Sequence, residues 1–256
     1  AAHIGVSASR SHKSMEKYEL VAGFETHVEL ATDTKIFCGC TTKFGGEPNT
    51  HTCPVCTGMP GALPRINRKA VEYTIMAGLA TNGKINNLSK MDRKNYFYPD
   101  LPKAYQVSQF ERPLSIGGYI ELDSGKRIRI NHIHLEEDAG KLVHKGGKTY
   151  IDYNRGGVPL MEIVSEPDIR SVEEGIEYLE KLQKIMRYIG VSDCRMQEGS
   201  MRCDVNISVR PAGSEKLGIR SEIKNMNSFT HIAKAMEYEY TRKVDAAENG
   251  EILPQE

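Results

Sequence analysis

The 256-residue chain has no excess of either charge: 34 Lys and Arg stand against 34 Asp and Glu. That balance excludes a global positive field able to capture nucleic acid, so any RNA contact must come from a local patch. No apolar run is long enough to span a bilayer, and no membrane association is expected. There is no GxxxxGK[ST] loop and no GxGxxG after a strand, so neither P-loop nor Rossmann machinery is indicated. No Ser-His-Asp or Cys-His arrangement stands out as an activated nucleophile, and no internal repeat or low-complexity tract occurs. The length suits one large domain or two small ones and can bury a substantial core.

Cysteine is scarce, six in all, yet Cys38, Cys40, Cys53 and Cys56 form a CxC…CxxC quartet. Thiolates so spaced can close a tetrahedral shell around one zinc ion, with the intervening loop folded back on itself. Phe37 and Pro54 favour a zinc knuckle over residues 38–56, because proline preorganises the turn that presents two sulfurs. Two disulfides, or free core cysteines, are the alternatives. A reduced, metal-binding thiol set implies a cytosolic or organellar interior. Cys194 and Cys203 read as buried free thiols. Residues 1–14 lack an apolar signal-peptide core and precede Met15, so they read as an expression leader or a piece of a targeting extension.

Residues 18–30 alternate, with Leu20, Ala22, Phe24, Val28 and Leu30 on one face and Glu25, His27 and Glu29 on the other. A helix is expected over residues 68–80, capped by Asn67 and stopped by Asn82-Gly83, with Val71, Ile75, Gly78 and Leu79 inward. Residues 91–113, dense in aromatics, prolines and amides, fit neither period and read as a long irregular functional segment. A strand from Tyr119 turns at Ser124-Gly125 and returns to Leu135, and a second hairpin turns at Gly146-Gly147. Ser171 and Glu174 make a capping box for a helix lined by Val172, Ile176, Leu179, Leu182, Met186 and Ile189 and ended by Gly190. Residues 201–209 alternate again, residues 217–224 repeat the pattern with Arg220, Glu222 and Lys224 on the polar face, and a last helix is expected from Ser228 to about Glu248. Strands arranged in hairpins rather than alternating with helices define an α+β class.

Charged residues on one strand face also describe a solvated sheet. Clustering with acidic motifs at strand ends tips the balance toward a site. The segment 134–140 ends a strand with Glu136, Glu137 and Asp138, while Glu162 sits inside an apolar run. A buried carboxylate needs a cation or hydrogen-bond donors; an edge strand facing solvent is the alternative for Glu162. Glu25, His27, Glu137, Glu162 and Asp204 together suit a hard divalent cation such as Mg²⁺, which leaves room for phosphate oxygens, and the imidazole also tolerates Mn²⁺.

Seven motifs carry a resemblance: GFETHVEL at 23–30, FGGEPNTHTCPVCTGMPGALPRIN at 44–67, DRKNYFYPDLPKAYQVSQFE at 92–111, HLEEDAGK at 134–141, DYNRGGVPLMEIVSEPDIR at 152–170, EGSMRCDVNISVRP at 198–211 and EIKNMNSF at 222–229. In this order they closely resemble the B-subunit family of the aspartyl/glutamyl-tRNA(Asn/Gln) amidotransferases, from Tyr18 to the end. The resemblance implies an antiparallel-sheet cradle at 15–256, akin to the catalytic fold of glutamine synthetase and the guanido kinases. It implies that ATP phosphorylates the side-chain carboxylate of Glu-tRNA(Gln) or Asp-tRNA(Asn). Ammonia channelled from the family's amidase partner, its A subunit, then displaces phosphate, and a small C subunit is the third partner. The resemblance places Mg²⁺ on His27, Glu137 and Glu162, with Glu25 and Asp204 at the same site. Lys94, Tyr96 and Arg202 become contacts to nucleotide, phosphate or aminoacyl end, and the four cysteines a supporting Zn²⁺ site. It further implies a helical domain and a tRNA-gripping tail beyond Glu256. A non-catalytic, zinc-bearing RNA-docking or scaffold module is the rival reading.

Overall fold

Residues with alternating polarity pair into a sheet because each strand then hides one face and leaves the other to polar side chains. The computed structural model describes residues 17–251 and 253–255, so the leader read at residues 1–14 lies outside the described residues. Among the described residues, an eight-stranded antiparallel sheet forms the centre. Its long strands are β1 (Tyr18–Glu29), β7 (Arg127–Glu137), β10 (Pro159–Ser165), β11 (Met201–Pro211) and β12 (Ser221–Met226). Their order is β12-β11-β1-β10-β7. Short strands β2 (Lys84–Ile85), β5 (Ser115–Ile116) and β6 (Tyr119–Glu121) extend it beyond β7. Two separate hairpins stand outside it: β3 (Asp92–Asn95) with β4 (Tyr105–Ser108), and β8 (Lys141–Lys145) with β9 (Lys148–Asp152).

Three α-helices, α1 (Arg68–Ala80), α2 (Val172–Tyr188) and α3 (Phe229–Glu248), and one 3-10 turn (Met196–Glu198) complete the described elements. They share one continuous core with the apolar side of the sheet, including Phe24, Val28, Ile133, Leu135, Met161, Ile163, Val205 and Ile207. Phe24 packs on Tyr178 at 5.9 Å between ring centroids. Gly175 makes this seat possible, since a Cβ there would lie 2.9 Å from Phe24.

The caps fall where expected. Asn67 accepts from Lys69 N, Ser171 from Glu174 N and Ser228 from His231 N. The Glu174 carboxylate takes the Arg170 N–H rather than that of Ser171, one residue off a strict capping box. Gly190 takes φ 71° just after α2.

Four expectations change. The fully buried side of α1 is Ala70, Thr74, Ala77 and Gly78, because small residues let the helix axis sit close on the sheet; Val71 and Ile75 pack half-buried against the core as expected, and Leu79 is 62% exposed. Residues 91–113 are not wholly irregular but contain the β3–β4 hairpin. Its β4 covers polar side chains of β7 and so shows no apolar alternation. The strand expected at 217–224 begins at Ser221, leaving Arg220 before it. Finally, β10 runs between β1 and β7, so Glu162 lies in the middle of the sheet and not on an edge.

Candidate active site

The face of the sheet opposite the helices carries the polar residues, and strand register decides which of them meet. His134 on β7 is opposite Glu162 on β10, Glu162 opposite His27 on β1, and His27 opposite Arg202 on β11. Imidazole, carboxylate, imidazole and guanidinium therefore form one row across four strands. Glu25 and Asp204 are paired one step along, on the same face.

His27, Glu136 and Glu162 present ligand atoms that all lie within 4.8 Å of one another. His27 Nε2 is 3.8 Å from Glu136 and 3.7 Å from Glu162, too long for hydrogen bonds. Ligand atoms sharing one small cation at about 2.1 Å stand about 3–4 Å apart, so the spacing fits a hard divalent ion. Mg²⁺ would be held through the two carboxylates, with His27 as the third donor.

Glu137 does not join this cluster. Successive residues of a strand point to opposite faces, so Glu136 shares the polar face with His134 while Glu137 turns away. Its carboxylate meets Lys103 Nζ at 2.5 Å and accepts the Val107 N–H at 3.2 Å. Burial pushes its pKa up, opposed by Lys103. The site residue expected at 137 is thus replaced at the cluster by its neighbour at 136.

His134 backs both carboxylates, with Nε2 3.0 Å from Glu162 and 3.3 Å from Glu136. Behind it, His132 Nε2 lies 3.1 Å from His134 Nδ1, and Asn131 Oδ1 lies 2.7 Å from His132 Nδ1. Asn131 Nδ2 donates to Glu166 at 2.7 Å, which turns its carbonyl toward His132. His132 must then donate through Nδ1 and accept through Nε2, so both nitrogens of His134 carry protons. Burial opposes that charge, but hydrogen bonds to Glu136 and Glu162 raise the His134 pKa to about 9. Against burial, the same hydrogen bond and the charge of His27 hold Glu162 down to about 2.

Arg202 bridges Asp138 at 2.9 Å and Glu29 at 3.4 Å, with Arg155 a further 3.7 Å from Asp138. Burial, then the adjoining Asp138, raises Glu29 to about 8. Burial works against ionisation of Asp138 too, yet Arg202 and Arg155 keep it below the usual carboxylate range. A cleft of about 230 Å³ is lined by His27, Glu136, Asp138, Arg202, Asp204 and Lys224. Lys224 stands 3.9 Å from Asp204, whose pKa is raised, chiefly by burial. Glu25 accepts from Asn206 Nδ2 at 2.9 Å and borders a second cleft of about 260 Å³. Lys94 on β3 and Tyr96 just after it belong to the hairpin above this face, and Lys94 Nζ is 5.9 Å from the Tyr96 ring centre. Burial and nearby Asp100 push the Tyr96 phenol up to about 12, with Glu136, Asp138 and Glu137 adding to the effect.

Cys38, Cys40, Cys53 and Cys56 converge with all sulfurs within 4.8 Å, and all six cysteines are free thiols, so the disulfide alternative falls. A hydrogen bond from Cys38 lowers the Cys56 thiol to about 4 against burial, helped by the Cys53 N–H and the charge of Lys35. The donor set and its spacing fit a tetrahedral zinc site. Lys35, 1% exposed, places Nζ 3.7 Å from Cys56 Sγ and 3.2 Å from Tyr153 O. Lys35, Lys103, His134 and Glu136 lie against the candidate groups without having been singled out as ligands from the sequence. For the last two the signal was present, since His132, His134 and Glu136 alternate along one face of β7.

Fold and site together define an open-faced antiparallel-sheet protein with helices behind the sheet and a candidate divalent-cation cluster in front. The chain belongs to the GatB/GatE catalytic domain family, whose model matches residues 20–255. It is 62% identical over 243 residues to a protein of Clostridium botulinum (strain 657 / Type Ba4) named as the B subunit of aspartyl/glutamyl-tRNA(Asn/Gln) amidotransferase, covering 93% of this chain and 51% of that protein. A protein of the same name from Caldicellulosiruptor saccharolyticus is 60% identical over 245 residues, covering 94% of this chain and 51% of its own length. The chain thus spans about half the length of these relatives.

Proposed function

We propose that this chain is the carboxylate-activating portion of a tRNA-dependent amidotransferase. In this reading ATP phosphorylates the side-chain carboxylate of Glu-tRNA(Gln) or Asp-tRNA(Asn), giving an acyl phosphate and ADP. Ammonia then attacks the acyl carbon and phosphate leaves, yielding the amide. A carboxylate is a poor electrophile, and phosphorylation converts its oxygen into a leaving group. Phosphoryl transfer asks the protein mainly for alignment and charge neutralisation. When bound, Mg²⁺ or Mn²⁺ supplies both at the phosphate oxygens.

The observation that carries the reading is the convergence of His27, Glu136 and Glu162 on the open face. Arg202 and Lys224 offer positive charge across the same cleft for phosphate or for the substrate carboxylate. Glu25 and Asp204 orient these groups, and Lys94 and Tyr96 contact nucleotide or aminoacyl end from the hairpin above. The open sheet backed by helices supports the cradle likeness to glutamine synthetase and the guanido kinases. Zn²⁺ in the Cys38–Cys40–Cys53–Cys56 cluster is structural. The complete protein works with an amidase partner that supplies ammonia and with a small third protein, in the cytosol or an organelle interior. Among the described residues no helix is long and apolar enough to cross a membrane.

The test is ATP turnover by the full-length protein assembled with its partners, given each misacylated tRNA with and without Mg²⁺. Turnover requiring both Mg²⁺ and misacylated tRNA is expected. Turnover indifferent to tRNA, or none from intact complex, leaves the zinc-bearing scaffold as the better account.

A further inference from the structure

The β8–β9 hairpin takes no part in the cluster described above, and its charge is out of keeping with a neutral chain. Residues 141–151 contain Lys141, His144, Lys145 and Lys148 and no carboxylate. Register sets Lys145 opposite Lys148 and Val143 opposite Tyr150, so two like charges face each other across the strands. Such a pair destabilises a hairpin, and a free two-stranded ribbon is marginal to begin with. Among the described residues, Lys141, Lys145 and Lys148 have no ion-pair partner. Tyr150 lies on the same face and is 55% exposed.

The arm is nevertheless held in place. Gly146 and Gly147 have φ of 60° and 71°, the positive pair that a tight two-residue hairpin turn requires. At the base, Asn49 donates from its N–H to Asp152 at 3.0 Å and from Nδ2 to Ile151 O at 2.9 Å. On the other side, Gly140 N donates to Asp100 O at 2.9 Å. The arm leaves the sheet directly after Glu136, Glu137 and Asp138, and each five-residue strand reaches about 16 Å.

We propose that this hairpin is an RNA-contact arm: Lys145 and Lys148 neutralise backbone phosphates near the acceptor end of tRNA, and Tyr150 stacks on an unpaired base. Unneutralised cations beside an exposed aromatic are what single-stranded RNA next to a duplex end requires. The location follows from the reading that the substrate carboxylate is carried by tRNA, on which this inference rests. The base of the arm follows directly on the end of β7 that carries Glu136, beside the cluster an aminoacyl end would reach.

The experiment measures binding of an acceptor-stem minihelix with a single-stranded 3′ end to the assembled complex across a salt series. Lys145→Ala/Lys148→Ala is compared with Lys145→Arg/Lys148→Arg and Tyr150→Ala. The alanine pair is expected to weaken binding about tenfold and to flatten the log–log salt slope by about 1.4–1.8, the value for two phosphate contacts. The arginine pair keeps affinity and slope, Tyr150→Ala weakens binding without changing the slope, and Mn²⁺ affinity stays unchanged in all three. An unchanged slope and affinity in the alanine pair, or loss of binding in the arginine pair, overturns the arm. If the slope falls as expected but ATP turnover is indifferent to misacylated tRNA, the arm stands and the proposed reaction falls. If tRNA-dependent turnover persists with an unchanged slope, the reverse holds.

Discussion

The thiol cluster and the carboxylate–imidazole cluster are assembled by different means. Cys38, Cys40, Cys53 and Cys56 come from one loop, positioned by local turns and by contacts such as Cys53 N–H to Cys56 Sγ at 3.2 Å. His27, Glu136 and Glu162 come from three strands distant in sequence, and only the register β7-β10-β1 brings them together. Damage to a loop-built site stays local. A register-built site depends on every residue that fixes the sheet, including Phe24 and Gly175 on the hidden face. It also gains rigidity, because each of the three side chains stands on a central strand.

The register-built site is most sensitive at Glu162, which faces both His27 and His134. Glu162→Gln is expected to lower Mn²⁺ affinity and tRNA-dependent ATP turnover by at least about 100-fold, measured by Mn²⁺ titration and phosphate release, with the melting curve still cooperative. Next come the neighbours on β7. Glu136→Gln should cost about 10- to 100-fold in Mn²⁺ affinity. Glu137→Gln should leave that affinity within about twofold, yet lose about 3 kcal/mol of stability because Lys103, its side chain 10% exposed, is left without its partner. Denaturant titration beside Mn²⁺ titration separates the two. Equal loss of Mn²⁺ affinity in both variants would remove the distinction drawn from strand alternation.

A milder effect is expected at the four-cysteine cluster. Cys53→Ser/Cys56→Ser should abolish zinc content and lower Tm, while Mn²⁺ affinity at the sheet holds within about threefold. The smallest effect concerns His134. Its folded pKa of about 9 exceeds the unfolded value of about 6.5. The stabilisation it provides is therefore complete below about pH 6.5 and fades as pH rises through about 9. Metal-free protein should lose Tm across that window, and His134→Asn should flatten the dependence. A curve unaffected by the substitution would show that the imidazolium is not formed.

Legibility in the sequence followed the same division. The convergence of the four cysteines could be read from spacing because its geometry is local. The alternation of β1 and β11 identified Glu25, His27, Arg202 and Asp204 on one polar face, since each strand hides its other face against α2 and α3. The α+β class followed from hairpins that the structure contains. Choosing between Glu136 and Glu137 required the face of a strand ending in three carboxylates, where polarity no longer alternates. The β3–β4 hairpin escaped notice for a related reason: β4 packs Gln106 and Ser108 onto polar groups of β7, at 2.8 Å to Glu137 O and 3.1 Å to Glu136. Nothing local in the sequence marks Lys35 or Lys103, because their partners, Cys56 and Glu137, are far along the chain.

The most direct test of the cation site is anomalous diffraction from crystals of the assembled complex soaked with Mn²⁺. The account predicts a peak bounded by His27 Nε2 and the carboxylates of Glu136 and Glu162, with Glu137 still on Lys103. A peak coordinated by Glu137, or no peak on this face at saturating Mn²⁺, would contradict it.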